Sequence, residues 1–395
     1  MASIENGYSN GHVEKNGATW RACVTKYKNG RSRRITHTTG VPCKSTGNYG
    51  KQTAERVMHA WIDSLKEQDR TLTAETAETS LADYCNAYVE LLGQTRVIEP
   101  STVRDYKKSL RHLGFIADIP LCSVTKTEIE QWELSLLSSG LSAVSVGKCH
   151  RILKQCFTHA TETGDASCSP MVGIKPPKRP QPQPNALTAQ NRSNLVRILK
   201  EMQPSPIRTA AALALFAGMR QGEICALRWA NVDLESAVIK VVEAIGQAEG
   251  GSYLKEPKTH GSRRTIPMTK QLLEMVRERR HAMLEECDAA GTLLKPDMFV
   301  IGHTDGTYQS PPLLGKEWAG LASSYALTGV TGKRITFHDL RHSFATVAIT
   351  EGVDVKTVSS ILGHSNAAMT LNVYTASDPN AKLMAASIIG NAFEG

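Results

Sequence analysis

The motif with the clearest chemical potential is the run TFHDLRH at residues 336–342. If this run is helical, His338 and His342 share one face, because side chains four residues apart are neighbours on a helix. Paired histidines at this spacing, with an acidic neighbour acting as a base, are typical of zinc hydrolases. Arg341 lies between them, however, and its charge would weaken Zn²⁺ binding by repulsion. The pattern therefore favours a site that holds a negatively charged group.

Five further polar residues in the same half of the chain extend this candidate site. Arg220 and Glu223 follow an apolar run that predicts a buried helix, and Lys258 lies between two predicted strands. His364 and Tyr374 follow the last predicted helix. Each has an ordinary structural interpretation when taken alone, such as a helix-end cation, a cap or a packing residue.

Taken together, these side chains meet the needs of one reaction, nucleophilic attack on a phosphodiester. Two arginines can hold the non-bridging oxygens with forked donors, without a metal. A tyrosine can attack phosphorus once its proton is removed, and a lysine or histidine can protonate the leaving sugar oxygen. Fixed cations directed at developing charge are commonly the largest catalytic contribution. The candidate residues are Arg220, Lys258, His338, Arg341, His364 and Tyr374.

The motifs AGMRQGE, PKT, HDLRH and LGH, followed by a tyrosine ten residues after the last histidine, resemble the tyrosine recombinase, or phage integrase, family. The resemblance covers most of residues 80–395, and the first 70 residues resemble the arm-site DNA-binding module of integrases from phages and conjugative transposons. It implies a site-specific recombinase that cleaves and rejoins DNA through a covalent 3′-phosphotyrosine, integrating and excising a mobile element. It implies no cofactor and no metal.

The resemblance also assigns roles to individual positions. Arg220 and Arg341 would clamp the scissile phosphate, while His338 and His364 would hydrogen-bond it and assist proton transfer. Lys258 would protonate the departing 5′-hydroxyl, although three basic residues lie close to it in the sequence, namely Lys255, Arg263 and Arg264.

The remaining roles concern the nucleophile and two supporting residues. Tyr374 would form the covalent bond to the 3′-phosphate. Glu223 would orient Arg220 or the helix that follows it, and His342 is interpreted as structural.

The partners that the resemblance implies are double-stranded DNA, with core and arm attachment sites, and further copies of the chain in a homotetramer on that DNA. It also allows for an accessory DNA-bending protein or an excisionase. Three alternatives remain open: a type IB topoisomerase that relaxes DNA with similar residues, a DNA-binding protein whose active site has decayed, and the zinc hydrolase.

The elements that must position these residues predict a multidomain protein, mainly α with small β-sheets. An N-terminal sheet-plus-helix module occupies residues 1–70, and a polar linker occupies 71–80. Four helices in 81–174 would form a compact core-binding domain of the SAM-like type. A linker with five prolines spans 175–185, where the missing backbone donors disfavour helix and sheet. Residues 186–395 would form the mixed α+β catalytic domain.

The N-terminal module carries nearly all of the excess positive charge. Its first 51 residues contain nine Lys or Arg and two Glu, whereas the net charge of the whole chain is +8. Strands at 18–27 and 31–39, joined by a turn, would form a β-ribbon that can enter a DNA major groove. The predicted DNA contacts are Arg21, Arg31, Arg33 and Arg34 in this module and Lys107, Lys148 and Arg151 in the helical domain.

Length and composition limit the number of domains, membrane association and cellular location. The chain has 395 residues, 41% of them hydrophobic, which is enough for several globular cores. No apolar run approaches the ~20 residues that a membrane span needs, so no membrane partner is expected. Nine cysteines without a C-x-x-C spacing predict reduced thiols and a cytoplasmic location.

Overall fold

The computed structural model divides the chain into two compact units, Met1–Pro180 and Gln181–Gly395. The boundary falls inside the predicted proline-rich linker at 175–185. Within the part of the chain that the structure describes, no helix is both long and apolar enough to span a membrane. The described residues are 7–28, 31–43, 49–180, 183–256 and 263–363.

The first unit begins with an antiparallel four-stranded sheet packed on one long helix. The central strand β3 pairs with the other three strands, and Lys28 lies opposite Arg31 in the register of the β3–β4 hairpin. The apolar side chains of Ala22 and Val24 pack against the helix. The hairpin and helix were predicted, whereas β1 and β2 were not, because β2 contributes only one buried apolar residue. The elements are β1 Gly7–Tyr8, β2 His12–Asn16, β3 Thr19–Lys28, β4 Arg31–Pro42 and α1 Tyr49–Glu78.

The predicted linker at 71–80 differs from the structure, since α1 continues to Glu78. The segment TLTAETAE contains no Gly or Pro to stop a helix, and its Ala, Leu and Glu favour one. Polarity alone does not distinguish a loop from a polar helix. The break between helices is confined to the two residues before α2, where the Ser80 hydroxyl accepts a hydrogen bond from the Asp83 N–H.

All four helices predicted for the next segment occur. Thr125 forms a reciprocal capping box with Glu128 at the start of α4, as its position before a helical pattern predicts. The shared core contains the fully buried rings of Trp132 and Phe157. The helices are α2 Leu81–Gln94, α3 Pro100–Leu110, α4 Lys126–Ser138 and α5 Ala143–Thr163.

The second unit is mixed α and β, with helices around two small sheets. One sheet has the antiparallel order β5-β6-β9, and β7 and β8 form a separate hairpin. The run AVIKVVEA, predicted as one strand, is divided between β6 and β7, and β8 was not predicted. The strands are β5 Val232–Asp233, β6 Val238–Val241, β7 Ala244–Ala248, β8 Gly251–Lys255 and β9 Arg264–Pro267.

The predicted apolar helix at 206–218 is the buried centre of this unit. Its alanines and leucines are almost completely enclosed by neighbouring helices and the three-stranded sheet. The helices of the unit are α6 Ala189–Glu201, α7 Pro206–Ala217, α8 Gln221–Ala226, α9 Lys270–Ala289, α10 Pro311–Ser324, α11 Phe337–Thr350 and α12 Val355–Leu362.

Two of these helices end at glycines with left-handed backbone, and both ends face the candidate site. Gly218 follows α7 with φ of 61°, and Gly363 follows α12 with φ of 64°. Glycine is favoured there because a Cβ penalises this conformation. A Cβ at Gly218 would also lie 2.7 Å from side-chain carbons of Leu362 and Phe344.

We expect Gly218→Ala to lower the free energy of unfolding by about 1–2 kcal/mol through the left-handed backbone alone, and further through the overlap with Leu362 and Phe344. Gly320→Ala is the matched control, because Gly320 is exposed in α10 with no atom within 4 Å of an added Cβ. Calorimetry of the full chain should show a lower Tm for the first variant only. Equal Tm values for the two variants would contradict a requirement for glycine at position 218.

Candidate active site

Three successive carbonyl groups at the end of α12 each accept a hydrogen bond from a different arginine. The last turn of a helix leaves its carbonyls without intrahelical partners, and the helix dipole makes that end attractive to cations. The three guanidiniums, called the arginine cluster here, are thereby held around one helix terminus. The pairs are Arg264 Nε to Ile361 O at 2.5 Å, Arg341 Nη2 to Leu362 O at 2.8 Å and Arg220 Nη2 to Gly363 O at 2.9 Å.

Glu223 is the carboxylate that neutralises part of this cluster. It accepts bonds from both Nη atoms of Arg264, at 2.7 and 3.0 Å, and from Arg220 Nη1 at 2.8 Å. Its other contact is the backbone N–H of Arg220 at 2.9 Å, at the start of α8. Burial alone would raise the pKa of Glu223, but Arg264 and then Arg220 outweigh it and lower the pKa to about 2. Three cations and one ionised carboxylate leave the site with a charge of +2.

Arg341 is the most deeply enclosed of the predicted catalytic residues that the structure describes, at 3% exposure. Its second bond runs from Nη1 to Gly218 O at 2.6 Å, so its fork spans the ends of α7 and α12. Burial first, and then the charge of Arg220, lower the pKa of Arg341 to about 9, while Glu223 acts in the opposite direction. The group therefore remains a cation at neutral pH.

His338 and His342 lie one turn apart on α11, as predicted, with ring centroids 4.7 Å apart and planes nearly perpendicular. Desolvation, followed by the neighbouring His342 and Arg341, lowers the pKa of His338 to about 4. The residue keeps an exposed side, so solvent screens part of this effect. Within the described residues, no third metal-ligating side chain joins the pair.

The other three predicted catalytic residues, Lys258, His364 and Tyr374, lie outside the described residues. In the sequence, Lys258 falls between β8 and β9, and His364 is the residue after Gly363. The structure thus brings together Arg220, Arg341 and their partner Glu223, with His338 on the same helix as Arg341.

Arg264 is the site residue that sequence reasoning missed. It was noted only as a basic neighbour of Lys258, yet its side chain is 6% exposed and bonded to Glu223. A strand pattern does predict that Arg264 and Ile266 share a face. The apolar residue Ile266, which the structure shows to be buried, was therefore the sequence signal that Arg264 faces the interior.

The predicted DNA contacts of the N-terminal module lie on its sheet. Arg21 alternates with the helix-facing Ala22 and Val24, and is therefore on the open face of β3. On the same face, Arg34 donates to Glu14 at 2.9 Å and to the Cys23 sulfur at 3.1 Å. Arg33 is exposed on β4, and Arg31 begins that strand.

A group of potential metal ligands also occurs on this open face. His12, Glu14 and Cys23 form the one triad of close ligand atoms found in the described chain. Arg34 donates to two of its three members. A guanidinium therefore already occupies the position that a cation would take.

The predicted contacts of the helical domain have different surroundings. Lys107 on α3 forms an ion pair with Glu90 at 2.5 Å. Lys148 and Arg151 are exposed and three residues apart on α5, so they share one face of that helix.

Comparison with known proteins agrees with this architecture. Residues 185–381 match the phage integrase family. A tyrosine recombinase XerC-like protein of Caldanaerobacter subterraneus subsp. tengcongensis is 25% identical over 366 residues, covering 87% of this chain and 91% of the relative.

Two solved structures share the fold. The Tn1549 transposon integrase in complex with a circular intermediate DNA has a TM-score of 0.64 at 20% identity, over 78% of this chain and 99% of that one. A lambda integrase dimer bound to a COC′ core site has a TM-score of 0.56 at 18% identity, over 94% and 95% of the two chains. The chain belongs to the phage integrase family of tyrosine recombinases.

The lowered pKa of His338 gives a test of the site in the absence of DNA. The neutral imidazole should prevail at pH 7. As the pH falls from about 6.5 to 4, the unfolded chain binds a proton that the folded chain does not, so the free energy of unfolding should decrease. NMR titration of the histidines, with His338→Gln to assign the resonance, should place its midpoint clearly below 6.5. A midpoint near 6.5 would contradict the geometry.

Proposed function

We propose that this protein is a site-specific DNA recombinase that cleaves and rejoins strands through a covalent 3′-phosphotyrosine, and so integrates and excises a mobile element. The observation that carries the proposal is the arginine cluster with its single carboxylate. Its charge of +2 complements a phosphodiester, whose negative charge grows as a fifth oxygen bonds to phosphorus. Such fixed charge needs no reorganisation during the reaction.

Arg220 and Arg341 are the proposed clamp on the scissile phosphate. Helix-end carbonyls hold both guanidiniums from behind, and Glu223 also holds Arg220, so the guanidinium planes are fixed before DNA binds. Arg220 keeps 36% of its side chain exposed and so can meet a ligand. Forked donors match two phosphate oxygens in a way that a lysine cannot.

Tyr374 is the proposed nucleophile. Its phenol oxygen, whose proton passes to His338 or His364, forms a bond to phosphorus as the bond from phosphorus to the 5′-oxygen breaks, and Lys258 delivers a proton to that oxygen. His338 and His364 hydrogen-bond the phosphate and assist proton transfer. The phosphotyrosine retains the energy of the original bond, so a 5′-hydroxyl of another strand can reverse the step without ATP.

The described surfaces support assignments for DNA outside the scissile phosphate. The helical domain from α2 to α5 would bind the core site, with Lys148 and Arg151 on the exposed face of α5. The N-terminal sheet would bind arm sites through its open face, where Arg21 and Arg34 lie. Solved relatives with this fold are bound to DNA.

The assembly follows from the reaction. Exchange between two duplexes requires four cleavages, which favours a homotetramer on DNA, with an accessory DNA-bending protein or excisionase acting on its direction. All nine cysteines are free thiols, some of them exposed, and this favours the reducing cytoplasm.

Tyr374→Phe should bind duplex DNA as the unchanged protein does but form no covalent adduct, because the attacking oxygen is lost. The measurement is trapping on a nicked suicide duplex that carries attachment DNA, in EDTA, with peptide mapping of the adduct. Cleavage by the variant would show that Tyr374 is not the nucleophile. Loss of cleavage by the wild-type protein in EDTA would favour the zinc hydrolase. Supercoil relaxation without recombination of paired sites would favour the topoisomerase.

Arg341→Lys should slow cleavage by about 100-fold or more, because one ammonium cannot replace a fork that spans two carbonyls and faces a phosphate. Arg197→Lys is the control, since Arg197 is an exposed residue of α6 paired with Glu201. Single-turnover cleavage rates give the comparison. A loss of only a few-fold at position 341 would argue against phosphate clamping.

A further inference from the structure

We propose that Arg264 is a positioning residue of the strand-transfer site, which fixes the end of α12 relative to the phosphate-binding Arg220. The inference rests on the proposed function and assigns a role to a residue outside the predicted catalytic set. Arg264 does not touch the phosphate in this proposal but acts through Glu223 and the α12 terminus.

The contacts of Arg264 point inward, to protein acceptors. Its Nε donates to Ile361 O at 2.5 Å, and its two Nη atoms donate to the two carboxylate oxygens of Glu223. Its side chain is 6% exposed, against 36% for Arg220. All three guanidinium nitrogens of Arg264 donate to protein acceptors, so this group serves as a bracket between them, whereas the exposed guanidinium of Arg220 can meet a ligand.

This bracket joins three elements that are far apart in sequence. Arg264 begins β9, where it pairs with Val241 of β6, so its backbone is anchored in the three-stranded sheet. Its side chain then reaches Glu223 in α8 and Ile361 in α12. Arg264 therefore links the α12 terminus directly to the sheet, beside the bonds that Arg341 and Arg220 make to the same terminus.

Glu223 transmits the same restraint to Arg220. One carboxylate oxygen accepts from Arg220 Nη1 and from Arg264 Nη1, and the other accepts from the Arg220 backbone and from Arg264 Nη2. Without Arg264, the buried carboxylate would keep Arg220 as its one side-chain partner among the described residues. Arg220 would then be drawn towards Glu223 and away from a phosphate.

The fit at Gly363 adds an independent observation. A Cβ on Gly363 would lie 2.9 Å from Arg264 Nη1, so the guanidinium packs directly against the last residue before His364. This close approach accounts for glycine in the LGH motif together with its left-handed backbone. A displacement of Arg264 would therefore change the packing around Gly363.

The variants Arg264→Lys and Arg264→Gln test the inference, with Arg263→Gln as the matched control. Arg263 is the adjacent residue, is exposed and pairs with Glu256 at 3.0 Å. Lysine keeps the charge beside Glu223 but cannot bond Ile361 and both carboxylate oxygens at once. Arg264→Lys therefore keeps the test valid if Arg264→Gln fails to fold.

Two measurements on the full chain separate positioning from a general structural role. The first is hydrogen exchange of the α12 amides in the DNA-free protein. The second is single-turnover cleavage of a nicked suicide duplex at saturating protein, with the Kd for that duplex measured separately. A small displacement of reacting groups can reduce a rate by about 100-fold.

We expect Arg264→Lys to exchange faster in the last turn of α12 and to cleave about 10- to 100-fold more slowly, with a Kd within about twofold of wild type. Arg263→Gln should match wild type in all three. Unchanged exchange, or a wild-type cleavage rate in Arg264→Lys, would overturn the inference. If the wild-type chain itself forms no adduct, the proposed recombinase function fails, whereas exchange still decides whether Arg264 anchors α12.

Discussion

The attraction between arginine side chains and the carboxyl-terminal end of α12 is the interaction on which the rest of the site depends. Three successive carbonyls of one helix turn accept from three guanidiniums that come from α8, β9 and α11. Like charges would otherwise repel at this distance. The helix-end carbonyls and Glu223 provide the opposing partial and full negative charge that lets them stay together, and because the carbonyls carry no net charge, a net positive charge remains.

The fold produces this convergence by ending two helices at the same place. Gly218 and Gly363 both adopt the left-handed backbone that closes a helix, and Arg341 bridges the carbonyl ends of α7 and α12. The apolar α7 is enclosed by the rest of its unit, so one of these ends is fixed by the core. The arginine cluster is in this way attached to a deeply buried helix.

An arginine held by an acidic residue also occurs in the N-terminal sheet. There Arg34 is held by Glu14 and Cys23 on the face turned away from the helix. In both units, an acidic residue therefore accepts a hydrogen bond from a guanidinium and orients it.

Much of this protein was determined by local sequence alone. Local patterns predict the β3–β4 hairpin, the four helices of residues 81–174, α7 and α11, because periodicity, caps and glycines act over a few residues. The order of the motifs is read directly from the sequence. The helical course of residues 71–78, strand β8 and the role of Arg264 could not be predicted. Polarity does not separate loop from helix, and short strands carry little pattern. The role of Arg264 depends on its bonds to Glu223, which lies 41 residues before it, and to Ile361, which lies 97 residues after it. Sequence therefore determined which groups are available, and only tertiary packing decided which arginine keeps an exposed guanidinium and which one is buried against the helix end, because burial and partner geometry arise from contacts distant in the chain.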